Sequence, residues 1–139
     1  MKPTRKGSKS DPGPALAEVR ALRTEPDDAV VVAGLTRSLN HANAAVVAMA
    51  ADLGGDRELA ALIPLLEATL ARLYENPTEA DPTCAGKIAC ATALDKLNHA
   101  DKAPFLRGAF HVQMQPSWPQ PEDVAAGLRV RSILALARF

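Results

Sequence analysis

The sequence predicts an all-α chain, and three observations carry that expectation. Apolar residues recur at i, i+3, i+4 and i+7 along most of the chain, the period of a helix with one buried stripe. Strict apolar–polar alternation is nearly absent, and β-branched residues come in short bursts such as Val30 to Val32. Of 139 residues, 27 are alanine, against three Phe, one Tyr and one Trp. A core of small and aliphatic side chains suits helices packed at close range.

The opening residues 1–12 mix Lys, Ser, Gly and Pro and are expected to be a disordered basic tail. No apolar stretch follows the basic residues as a signal peptide requires, and no run approaches the roughly 20 apolar residues of a membrane span. Residues 13–139 form the predicted domain. A weak helix from Pro14 to Arg23 has only Leu16, Val19 and Leu22 to anchor it. The next helix, 26–39, carries Val32, Leu35, Thr36 and Leu39, with Thr24 and Asp27 placed as a capping box. A third, 43–53, repeats the spacing at Val46, Met49, Ala50 and Leu53, and Gly54-Gly55 reads as its stop.

Leu59, Leu62, Ile63, Leu66, Leu70 and Leu73 define a helix over 57–74, in which Pro64 predicts a kink or a restart. "NPTEADP" breaks the chain, and Asp81 as N-cap with Pro82 at N1 opens a helix over 82–97. Its stripe is Cys90, Ala93, Leu94 and Leu97, with Ala85 and Ile88 on other faces. Asp101 caps a helix over 102–112 holding Phe105, Leu106, Ala109 and Phe110, and Pro104 is tolerated in its first turn. "QPSWPQPED" is a Pro-rich connection, after which Pro121 opens a last helix whose stripe is Val130, Ile133, Leu134 and Ala137.

The helices then pair as 26–39 with 43–53, 57–74 with 82–97, and 102–112 with 121–138. Hairpins recurring roughly every 40 residues predict an α–α superhelix of about three hairpins plus the weak first helix. A closed helical bundle is the alternative. Leu-Asn-His-Ala occurs at Leu39 and again at Leu97, between hairpin helices and then between hairpins. Its shared role is turn chemistry: Leu ends a core stripe and Asn takes the left-handed stop.

The stretch "NAAVVAMAADLGGDRELAALIPLL" resembles the HEAT-repeat consensus, an Ala/Val-rich helix ending in Leu-Gly before a Pro-bearing helix. "DPTCAGKIACATALDKLNHADKAPFLRGAFHVQMQPSW" is similar to a bacterial group of HEAT-repeat proteins of unassigned function. The matching residues include Asp81, Pro82, Cys84, Lys87, Phe105, Arg107, Gly108, His111, Gln113, Pro116 and Trp118. Gln115 replaces an acid, and Pro119 and Gln120 replace glycines of that pattern. The resemblance implies a HEAT-like solenoid, in which second helices line a concave face. Members run on through further repeats, whereas this chain stops at "LALARF" still in helical period. An uncovered apolar face there is expected in a fragment of a longer array or in a chain that self-associates through it.

Formal net charge is zero, which argues against nucleic acid and anionic membranes as partners. Cys84 and Cys90 diverge on one helix and read as reduced thiols in a cytoplasmic protein. Cys84, Cys90, His99 and His111 lack the spacing of a zinc site, so no metal is expected. Cys84 near a helix start could be an activated thiol, but nothing places a base beside it. No phosphate or dinucleotide motif is present, no cofactor is expected, and no catalytic residues are assigned. The expected function is non-enzymatic: a scaffold binding an unknown protein partner on its concave face. Its candidate contact residues are Lys87, Arg107, His111, Trp118, Arg129 and Arg131, with Trp118 expected more as a lid over the core than as an exposed contact. The alternative is an enzyme or nucleic-acid binder on a HEAT-like scaffold, as in bilin lyases or alkylpurine DNA glycosylases, with Lys87, Lys96, Arg129 and Arg131 as a basic stripe.

Overall fold

A computed structural model of the chain describes residues 11–139, and all but the end of the basic tail lies outside them. The described chain is all-α apart from one two-stranded ribbon. Helix α1, Gly13–Leu22, buries Val19 against α2, Asp28–Leu39, and α3, Ala44–Asp56. Asp27 alone caps α2, accepting from the Ala29 N–H at 2.9 Å, while Thr24 donates back to the Ala21 carbonyl. The expected capping box is therefore replaced by a single Asx cap. Asn43 caps α3 in the same way at Ala45.

The Gly54-Gly55 pair does not stop α3, which runs through it to Asp56. Both glycines are buried, and a Cβ on Gly55 would lie 3.0 Å from the Ala93 Cα. Their role is close helix approach rather than termination. The left-handed turn falls later, at Glu58 with φ 55°. A 3-10 turn, Ala60–Leu62, then leads into α4, Ile63–Glu75, so Pro64 sits in a first turn and marks the expected restart.

A short helix α5, Pro77–Ala80, precedes α6, Ala85–Lys96, which starts three residues later than the Asp81–Pro82 pattern predicts. Cys84 occupies the N-cap position in a left-handed conformation, φ 63°. Asp81 still serves the helix start from a distance, accepting from the Gly86 N–H at 3.0 Å and the Lys87 N–H at 2.8 Å. Helix α7, Ala103–Ala109, follows Asp101, whose carboxylate accepts from the Ala103 N–H. Of the two repeated asparagines only Asn98 takes the left-handed turn, φ 53°; Asn40 does not.

The Pro-rich connection contains strands β1, Met114–Gln115, and β2, Glu122–Asp123, antiparallel with Met114 opposite Asp123. The last helix, α8, is Ala126–Leu136, five residues shorter at its start than expected. Helices α2 and α3, α4 and α6, and α7 and α8 pack as pairs, and α6 also packs on α3 and on α8. Fully buried Leu35, Leu39, Leu66, Leu94, Phe105 and Leu128 run through these contacts. Burying each such side chain is worth roughly 1.5–3 kcal/mol. None of the described helices is long and apolar enough to cross a membrane.

Candidate interaction face and the polar network beneath it

Helix α8 presents two stripes, and the structure buries the less apolar one. Leu128, Ser132 and Ala135 face inward, while Val130, Ile133 and Leu134, the expected core stripe, are each more than half exposed. The reason lies at the α7–α8 contact. A Cβ on Gly108 would fall 2.1 Å from the Ser132 Oγ, so this approach requires glycine on α7 and a small side chain on α8. Bulky Ile133 or Leu134 could not occupy that seam.

Other large apolar residues between Leu106 and Phe139 are exposed as well. Phe110 is 83% exposed and Trp118 92% exposed, and Leu106, Val112, Met114 and Phe139 are 40% exposed or more. Trp118 is thus a surface residue, contrary to its expected place as a lid. It lies between Pro116 and Pro119 in the connection that joins β1 to β2.

Beneath this face lies a buried polar network centred on Gln113, which is 3% exposed. Its Nε2 donates to the carbonyls of Asp81 at 2.8 Å and Pro77 at 3.1 Å. Its Oε1 accepts from the Cys84 thiol at 3.1 Å and lies 2.9 Å from His111 Nε2. The side chain of one loop residue therefore satisfies the backbone that connects α5 to α6. Its own backbone is held by β2: the Gln113 N–H donates to Asp123 Oδ1, and its carbonyl accepts from the Val124 N–H.

Lys87 is fully buried, not on an exposed concave face. Its ammonium donates to Asp81 Oδ2 at 3.3 Å and to the Asp81 and Pro77 carbonyls at 3.4 Å. A buried ammonium needs this neutralising carboxylate, and Asp81, six residues earlier and across the left-handed Cys84, supplies it. Tyr74 stacks edge-on to His111 at 5.0 Å, and the Arg107 guanidinium lies 4.2 Å from the Tyr74 ring centre. Burial pushes the Tyr74 hydroxyl up to about 12, with Arg107 acting in the opposite direction.

Arg129 Nη2 donates to Asp123 Oδ2 at 2.5 Å, and its Nη1 donates to the His111 carbonyl at 2.9 Å. That Arg129 bond, with the Ala125 and Gln113 N–H groups, holds the Asp123 carboxyl down to about 2. Arg131 is exposed and makes no hydrogen bond or ion pair among the described residues. Of the expected basic stripe, Lys87 is buried, Lys96 pairs with Asp56 and Arg129 with Asp123. The stripe does not form.

The network thus brings Lys87, His111 and Arg129 together at the 110–125 segment, while Arg107 is exposed and lies against the Tyr74 ring. Tyr74 and Gln113 were not among the expected site residues. Gln113, within the family-like stretch, was the available signal. Both cysteines are free and buried. Burial pushes the Cys84 thiol above its ordinary value, so it is not an activated nucleophile.

A second feature is a cleft of about 500 Å³ between α4 and α7, walled by Glu67, Ala71, Tyr74, Asp101, Pro104 and Arg107 among others. His99 Nε2 lies 2.5 Å from Glu67 Oε1 beside it. No family model, curated protein or solved structure matches the chain.

Proposed function

We propose that this chain is a short HEAT-like helical-repeat module that docks a protein through the outward side of its C-terminal hairpin. The observation that carries this reading is the apolar surface of residues 106–139, with Phe110, Trp118, Val130, Ile133 and Leu134 all more than half exposed. Five large apolar side chains this exposed within one 25-residue stretch are a concentration that a protein working alone seldom carries. Exposed Trp118 and Arg131 are of the residue types enriched at interface hot spots. The Gln113 network supports the reading by fixing the 110–125 segment, so its contact residues are ordered before binding. The helix pairs α2–α3, α4–α6 and α7–α8, with α6 between α3 and α8, are the arrangement a repeat array calls for.

In this reading the binding surface moves from the concave face to the last hairpin. Trp118 and Arg131 contact the partner, while Lys87, His111 and Arg129 support the loop from below. Either a second copy of the chain or another protein can serve as partner. Sedimentation of the purified chain and affinity capture from its source cell, each with wild type and Ile133→Glu, test the proposal. Expected is self-association or a captured partner in the wild type, lost in the variant with its melting temperature unchanged. No association in either experiment, or association indifferent to Ile133→Glu, overturns it. Salt-sensitive retention of duplex DNA would instead favour the nucleic-acid alternative.

A further inference from the structure

We propose that Glu67, His99 and Asp101 form a binding site for a divalent first-row transition ion of the zinc class, at one wall of the α4–α7 cleft. One ligand atom from each of the three lies within 4.8 Å of the others. They come from two places in the chain: Glu67 is brought by tertiary packing to His99 and Asp101, which stand two residues apart in the α6–α7 connection. Glu67 stands on α4, His99 in the turn after α6, and Asp101 just ahead of α7.

Each donor is held in place by an independent restraint. The His99 N–H donates to the Leu94 carbonyl at 3.0 Å, closing the turn made by left-handed Asn98. Asp101 Oδ1 accepts from the Ala103 N–H at 2.9 Å, which leaves Oδ2 free. Glu67 Oε1 meets His99 Nε2, which leaves its Oε2 free among the described residues. The imidazole is largely buried, its side chain 11% exposed.

The donor set selects the ion. One imidazole nitrogen and two carboxylate oxygens suit zinc and its neighbours, whereas calcium and magnesium favour oxygen alone. Two carboxylates also balance a dipositive charge. Three protein ligands leave a fourth position, as in open zinc sites. Glu67 and Asp101 both line the cleft, so that position borders a space large enough for a small molecule. Tyr74 lines the same cleft; it is 7% exposed and its hydroxyl has no hydrogen-bond partner among the described residues. An orphan polar group in the wall of a cavity is an independent sign that the cleft takes a ligand.

Binding has a chemical consequence. Donors around a tetrahedral zinc stand about 3.4 Å apart, given bonds of about 2.0–2.1 Å. Glu67 and His99, now hydrogen-bonded at 2.5 Å, must separate or Glu67 must turn its other oxygen inward. The neutral imidazole binds through its unprotonated nitrogen and keeps its single N–H on the other.

The test is calorimetric titration of the untagged, chelator-treated full chain with Zn²⁺, in buffers of different ionisation enthalpy. Expected is one ion per chain. His99→Gln should weaken binding more than about 10-fold, since losing even an outer partner of a ligand costs 10–100-fold. The Gln amide nitrogen falls where His99 Nε2 lies and can still donate to Glu67, so a merely structural pair would survive the change with its melting temperature kept. Co²⁺ in place of Zn²⁺ should show no thiolate charge-transfer band, which excludes Cys84 and Cys90 as the ligands. No stoichiometric binding by the wild type, equal binding by His99→Gln, or a thiolate band would each overturn the proposal.

Discussion

Replacing Lys87 by Met tests whether the Lys87–Asp81 pair organises the junction of the last two hairpins. The ammonium is fully buried and lies 3.3 Å from the Asp81 carboxylate, itself fully buried. Met matches the length of the side chain but leaves Asp81 without a counter-charge. Breaking a buried pair by removing one partner costs about 3–5 kcal/mol. Asp81 keeps the Gly86 and Lys87 N–H groups at the start of α6, and Gln113 still serves the Asp81 and Pro77 carbonyls. These retained bonds place the loss at the lower end, about 3 kcal/mol. Against a total of about 5–15 kcal/mol, that is a large fraction. With a urea slope near 2 kcal/mol/M, the midpoint should fall by about 1.5 M. The double variant Lys87→Met, Asp81→Asn should recover part of the loss, with a coupling energy above about 1 kcal/mol. A single-variant midpoint within about 0.3 M of wild type, or strictly additive losses, would refute the assigned role.

Three further outcomes follow from the packing and titration described above. Gly55→Ala should destabilise by about 1 kcal/mol, because overpacking at the Ala93 backbone costs 1–3 kcal/mol against a helix-propensity gain of about 1. Gly127→Ala, whose new Cβ meets only the tip of Ile88 at 3.2 Å, should be neutral or stabilising; the reverse order of melting temperatures would sink the close-approach account. Asp123 should titrate by carbon NMR at about 2 instead of the ordinary 3.8. Because its folded value is depressed, the Arg129 clamp favours the folded state above about pH 4 and is lost as pH falls through about 2. A midpoint near 4 would show that the clamp is absent in solution. Cys90, pushed by burial from 9.0 to about 12, should resist thiol reagents until urea unfolds the chain. Its folded value is raised, so stability should decline above about pH 9, where only the unfolded thiol ionises; rapid labelling of native protein at pH 8 would contradict its burial.

Helix existence and order were legible because the 3.6 period reports burial directly. Leu59 to Leu73 and Cys90 to Leu94 were read correctly from spacing alone. Where glycine or a cap decided the outcome, spacing failed. Gly54-Gly55 has the letters of a stop, yet Leu62 against Gly54 and Ala93 against Gly55 turn the pair into a packing surface, and Ala93 lies 38 residues further along the chain. Asp81 has the letters of an adjacent N-cap, yet it reaches across a left-handed Cys84 to cap from further off. The β1–β2 ribbon was missed because its pairing is set by proline-rich loop geometry and the Asp123 hydrogen bonds, not by alternation of side chains.

The same limit explains the candidate sites. Lys87 looked like a surface cation because lysine is seldom fully buried. Only tertiary knowledge of Asp81, Pro77 and Tyr74 shows why it can be. Glu67 and His99 stand 32 residues apart and share no motif, so their contact could not be anticipated from order alone.

Helix α8 joins these points. Hydrophobicity alone would bury Val130, Ile133, Leu134 and Ala137, the stronger of its two stripes. Steric fit chose Leu128, Ser132 and Ala135, because α7 brings Gly108 against Ser132 too closely for a branched side chain. A helix that packs by its weaker stripe forgoes burial worth roughly 1.5–3 kcal/mol for each large aliphatic left outside. That loss is recovered only if another surface covers the stripe. The internal seam and the exposed face are therefore two sides of one choice: the tight α7–α8 fit is what leaves Ile133 and its neighbours exposed.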